Sequence, residues 1–116
     1  MKRTNGVTEE IKMALENVPG IRYAFIYGSS ANNPEDHERE VDIMVLGGPD
    51  LVEMDEAISE VEERLGRPFL ITSFTVREIQ ERIRMKDEAI LRVLEDLKNM
   101  LLGDEEEMKA ALSAEA

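Results

Sequence analysis

The 116-residue chain has no cysteine and no tryptophan, and its one histidine is His37. Without thiols there is no disulfide and no thiolate metal site, and a lone imidazole cannot build a zinc centre. Any metal here has to be held by oxygen, which favours Mg2+ or Mn2+. Basic residues are also scarce: 14 Lys and Arg against 26 Asp and Glu leave a net charge of −12. A nucleic-acid backbone needs a basic footprint, so nucleic acid is disfavoured as a partner of the isolated chain, and a protein or small-molecule partner suits the charge better. No stretch approaches the ~18 apolar residues of a membrane span, and no apolar signal segment follows the basic start Met1-Lys2-Arg3. These absences predict a cytoplasmic, soluble protein with no membrane contact. No Gly-Lys-Ser or Gly-Lys-Thr follows Gly28, which argues against a Walker-type NTPase, and no acidic stretch has the ligand spacing and central glycine of an EF-hand loop.

What is present is concentrated between Tyr23 and Leu46. Ile21 to Tyr27 is nearly continuous in apolar, β-branched and aromatic residues, the pattern of a strand covered on both faces. It stops at Gly28, where the backbone can turn sharply and a ligand can come close, and Ser29 adds a hydroxyl and an amide able to donate to phosphate oxygens. Ser30 to Arg39 reads as an exposed turn and loop. The next run, Glu40 to Leu46, has Val41, Ile43 and Val45 at period two, which places Glu40 and Asp42 together on the opposite face. Residues two apart in a strand are roughly 7 Å apart at Cα, near enough for their carboxylates to share a divalent ion. The competing reading is that Asp42 is solvated at a strand end or paired with Arg22 or Arg39. An acid inside so apolar a segment needs a partner of some kind, because an unpaired buried charge is expensive.

A strand, Gly28-Ser29, a ten-residue spacer and then acid-x-acid in a second strand resembles the signature of the polymerase β-like nucleotidyltransferase superfamily, and the short chain resembles its minimal nucleotidyltransferase branch. Leu65-Gly66-Arg67-Pro68, the following strand, a Thr75-led helix with Glu78, then Val93-Leu94, Lys98 and Leu102-Gly103 are similar to the second half of small members. The resemblance implies that Gly28, Ser29 and Ser30 bind a nucleotide, and that Glu40 and Asp42 are both metal ligands and catalytic residues. It further implies Mg2+-dependent transfer of a nucleoside monophosphate from ATP or another NTP to a hydroxyl acceptor, and a HEPN-type helical protein as partner in a toxin–antitoxin pair. Three positions depart from the pattern. Glu40 stands where aspartate is usual, Asn32 where an arginine often follows the turn, and the strand that commonly supplies a third carboxylate has none, only the hydroxyls of Thr72 and Ser73. The alternative is therefore a catalytically impaired nucleotide-binding or protein-interaction module, antitoxin-like, and a plain structural α/β domain is the third reading.

The flanking segments are expected to be scaffold. Helices are expected over Val7–Asn17, capped by Thr8, and from Asp50 to Leu65, where Leu51, Met54, Ile58, Val61 and Leu65 form a stripe and the outer face is acidic. A strand over Phe69–Phe74 and a helix from the Thr75–Glu78 capping box through Arg84 follow. A further helix is expected from Asp87 to Leu102, with Ile90, Leu91, Leu94, Leu97, Lys98 and Leu101 as an apolar stripe available to the core, a homodimer or a partner. The fold class is a small α/β nucleotidyltransferase-like domain, a mixed sheet of three or more strands flanked by helices. It spans residues 1–103, and 104–116 is an acidic C-terminal tail or short helix, either frayed or docked by Met108 and Leu112.

Overall fold

The structure is a computed structural model that describes residues 6–113. Its elements are α1 (Val7–Glu16), β1 (Ile21–Tyr27), a single 3-10 turn (Gly28–Ser30), β2 (Val41–Gly47), α2 (Leu51–Leu65), β3 (Phe69–Phe74), α3 (Val76–Arg84), α4 (Glu88–Glu95), β4 (Lys98–Leu102) and α5 (Glu105–Ser113). The strands form one mixed sheet in the order β3-β2-β1-β4. β1 runs antiparallel to both neighbours, and β2 and β3 are parallel. A parallel pair requires a crossover, and α2 supplies it.

The two-residue alternation of the strands separates two cores. Ala24, Ile26, Val41, Ile43 and Val45 meet Ile11 and Leu15 of α1 and Met54, Ile58 and Val61 of α2 on one face. Tyr23, Phe25, Met44 and Leu46 meet Ile79 of α3, Ile90 of α4 and Met108 and Leu112 of α5 on the other. With helices on both faces, β1 and β2 are buried almost throughout, which is why their sequences are nearly continuous in apolar residues.

Local signals set most boundaries. Asp50 accepts from the amides of Val52 and Glu53 at the start of α2, and Gly66, at φ 68°, ends it in the left-handed region. Leu51, expected on the buried stripe, is instead exposed at the first turn of α2. Thr75 and Glu78 form the reciprocal capping box that opens α3.

Two local expectations are corrected. Thr8 does not cap α1: the helix starts at Val7 as expected, with Gly6 rather than Thr8 at the N-cap position, and the orphan amide of Val7 donates 2.7 Å to Glu35 Oε2 across the fold. The predicted helix over Asp87–Leu102 stops at Glu95, and Lys98–Leu102 is the edge strand β4, paired with β1. Leu101 is buried as expected, but in the core on the α1 and α2 side. Of the two alternatives for the tail, docking holds: α5 seats Met108 and Leu112 in the second core.

Candidate metal and nucleotide site

Four residues form one row across the sheet at its open end. Leu70 on β3 is opposite Asp42 on β2, Asp42 is opposite Tyr27 on β1, and Tyr27 is opposite Lys98 on β4. Directly opposed residues share a face, and this face is the one that α3, α4 and α5 cover further along the strands. Asp42 and Tyr27 are half-buried, while Leu70 is 50% exposed.

Gly28 follows directly on Tyr27. Its φ of 76° is in the left-handed region, and a Cβ built on it would lie 3.4 Å from Asp42 Oδ2. Glycine therefore serves two needs here: it makes the turn, and it leaves the space beside the carboxylate open. Ser29 is exposed at the rim. Ser30 is fully buried, and its hydroxyl donates to the Tyr27 carbonyl at 3.5 Å, so its side chain supports the turn from inside.

Among the described residues Asp42 has no arginine partner. Arg39 pairs with Asp36 at 3.1 Å, and Arg22 lies over the Tyr23 ring, 5.4 Å from its centroid. Asp42 Oδ1 is buried and has no hydrogen-bond partner among the described residues. Burial, and after it the nearby Glu40 charge, hold the Asp42 carboxyl above the usual aspartate range. Burial and the Asp42 charge likewise raise the Tyr27 phenol, against a lowering from its hydrogen bond with Thr72. The expectation that Glu40 opens the second strand is corrected: β2 begins at Val41, and Glu40 is the exposed last residue of the loop before it. Glu40 is still near enough for its charge to disfavour ionisation of Asp42.

Orphaned buried oxygen beside a cleared glycine turn is an arrangement that a cation would satisfy. Among the described residues no group of three or more His, Cys, Asp or Glu gathers as a metal cluster. Two carboxylates fit Mg2+ only if substrate phosphates and water complete its octahedral shell, which is how Mg2+ is usually held. The position opposite Asp42 on the neighbouring strand is occupied by Leu70. Thr72 is one step further along the same face and is engaged by Tyr27.

The places of three residues around the candidate site were not legible in the sequence. Lys98 is not available to a ligand: its side chain is 1% exposed, its ammonium donates to the carbonyls of Leu94 and Asp96, and it lies 3.4 Å from Glu105. Leu70 was hidden because its place beside Asp42 depends on strand register. Arg67 is buried, 5% exposed, and donates to the main-chain carbonyls of Pro34, Asp36 (3.0 Å) and Arg39 (2.9 Å). It thus fixes the loop that leads from the turn to Glu40. The only available signal was an arginine between Gly66 and Pro68.

The sheet order, the glycine-serine turn at the end of β1 and the acid that follows on β2 define a small nucleotidyltransferase-like fold. No family model and no curated protein matches the chain. Solved structures do. A MntA-HpeT toxin–antitoxin crystal structure carrying two Asp-to-Glu substitutions has a TM-score of 0.57 at 14% identity, covering 90% of this chain and 80% of that one. A toxin–antitoxin crystal structure with AMP-PNP has a TM-score of 0.54 at 15% identity, covering 91% of this chain and 81% of the other. The complex of a tri-AMPylated Shewanella oneidensis HEPN toxin with MNT antitoxin has a TM-score of 0.51 at 13% identity, with coverage of 91% and 81%. At these identities the likeness establishes the fold.

Among the described residues no helix is long and apolar enough to cross a membrane.

Proposed function

We propose that this chain binds a magnesium nucleotide at the Gly28–Ser30 turn and transfers a nucleoside monophosphate from ATP or another NTP to a hydroxyl acceptor. The observation that carries this reading is the partnerless buried Oδ1 of Asp42, beside a glycine whose missing side chain keeps the adjoining space clear. The Gly28 and Ser29 amides and the Ser29 hydroxyl contact the phosphates, and buried Ser30 shapes the turn beneath them. Asp42 and Glu40 hold Mg2+, with Mn2+ as the other hard-cation choice. When bound, the ion neutralises the triphosphate and stabilises the departing pyrophosphate. In the transfer, the acceptor oxygen bonds to the α-phosphorus, the bond from that phosphorus to the bridging oxygen of pyrophosphate breaks, and the acceptor's proton passes to water.

For the acceptor and partner we propose a HEPN-type helical protein. The AMP-PNP complex and the AMPylated toxin complex among the structures of similar fold support that context. The net charge of −12 suits a protein partner better than a nucleic acid.

The test is to incubate the chain with α-labelled ATP, Mg2+ and such a HEPN-type protein. Label is expected on the partner, and Asp42→Asn is expected to abolish it. The second reading, a nucleotide-binding antitoxin module without turnover, is favoured by Leu70 at the position opposite Asp42 and by Glu40 lying outside the strand. Magnesium-dependent ATP binding with no transferred label would select it.

A further inference from the structure

The Gly28–Ser30 turn is bordered by acids, and a triphosphate bound there would bring more negative charge than one divalent ion neutralises. A cationic side chain at the rim is needed, and Arg39 is in place. Its Nη1 is 3.5 Å from the Ser29 carbonyl and its Nε donates 3.1 Å to Asp36 Oδ2, which leaves Nη2 without a partner among the described residues. The side chain is 49% exposed, so its free edge faces the solvent from which a nucleotide would arrive.

Its placement is built rather than incidental. Asp36 Oδ1 accepts the Glu38 amide at 3.0 Å while Oδ2 holds Arg39, so one carboxylate fixes both the loop backbone and the guanidinium. Beneath them, buried Arg67 donates to the Asp36 and Arg39 carbonyls and to that of Pro34. A buried guanidinium spent wholly on loop carbonyls holds the segment rigid where a free ten-residue connection would wander.

We propose that Arg39 is a phosphate-binding residue of this chain, holding the outer phosphates of the bound nucleoside triphosphate against the Ser29 rim, and that Arg67 is the positioning residue that presents it. The planar guanidinium fork suits phosphate oxygens, and a charge-assisted bond of this kind exceeds a neutral one in strength. This inference rests on the nucleotide site proposed above.

The test compares ATP and AMP affinity, with Mg2+, for the full chain and for Arg39→Gln, Arg39→Lys and Arg67→Lys. Arg39→Gln is expected to weaken ATP binding by roughly ten- to a hundredfold, with AMP affinity and thermal midpoint nearly unchanged. Arg39→Lys is expected to recover part of the loss, and Arg67→Lys to weaken ATP binding in a chain that remains folded. Unchanged ATP affinity in Arg39→Gln, or an equal loss for AMP, would overturn the assignment and leave the nucleotide site standing. A wild-type chain that binds neither nucleotide would overturn both.

Discussion

Gly28 and Asp42 meet at the end of the β1–β2 ladder: a side chain on residue 28 would place its first carbon 3.4 Å from Asp42 Oδ2, and the other oxygen of that carboxylate is buried without a partner. Nothing in the packing gains from this. The carboxylate opposes folding, and the glycine forgoes contacts that a larger residue would make. Polar groups left in that state mark sites kept for a ligand more often than sites kept for stability.

The first prediction concerns that cost. Asp42 has a folded-state pKa above its ordinary value, so the folded state holds its proton more tightly than the unfolded chain does. Stability from this group therefore falls as pH rises from the ordinary carboxylate range through the raised value, and stays lower above it. Without metal at neutral pH, Asp42→Asn should melt a few degrees higher than wild type, and its stability should lack that downward step with pH. Thermal melts between pH 4 and 8 in chelator check both points.

A second prediction has the opposite sign. Asp87 accepts the Ala89 and Ile90 amides at the start of α4 and pairs with Arg82 at 3.0 Å. The Ile90 amide, then the Arg82 bond, hold its carboxyl below the usual range. The stability it contributes is present above the ordinary carboxylate pKa and is lost as pH falls through the lowered value. Asp87→Asn should therefore lower the melting point at neutral pH and flatten the acid side of the same profile, converging on wild type at low pH.

Leu70 offers a gain-of-function test. Placing an acid opposite Asp42 adds a third oxygen donor to the pair. Leu70→Asp should lower stability in chelator, because like charges crowd together, and tighten the Mg2+ requirement for nucleotide binding by roughly tenfold. Magnesium titration at fixed ATP measures it.

The docking of α5 is tested by Met108→Ala. Met108 is fully buried against the second core. Its truncation should cost roughly 2–5 kcal/mol in denaturant unfolding. A loss below about 0.5 kcal/mol, the scale of a surface substitution, would mean that the helix is not held there.

How much of this was legible in the chain depends on the range of the signal. The α2 stripe, the Asp50 cap, the Thr75–Glu78 box and the unbroken apolar run of β1 are local patterns, and each produced the element expected of it. The Asp87–Leu102 segment misled because Leu94, Leu97, Lys98 and Leu101 continue the three-four spacing of α4 past Glu95. The chain breaks there and Lys98–Leu102 pairs with β1, while the Lys98 ammonium turns back to the carbonyls of Leu94 and Asp96 at the end of α4. Glu40 was assigned to the strand because Val41, Ile43 and Val45 fix a period but not where pairing starts. Of the candidate site, the sequence made legible the Gly28–Ser30 turn and its neighbour Asp42. Leu70 and Arg67 join it through strand register and a bond spanning about thirty residues, relationships that no window of sequence contains.

The most direct measurement is calorimetric titration of ATP into wild type and Asp42→Asn, each with Mg2+ and with chelator. The account predicts saturable binding by wild type that requires Mg2+, and none by a folded Asp42→Asn. ATP binding of equal strength in the two proteins, or none in wild type with Mg2+ present, would contradict it.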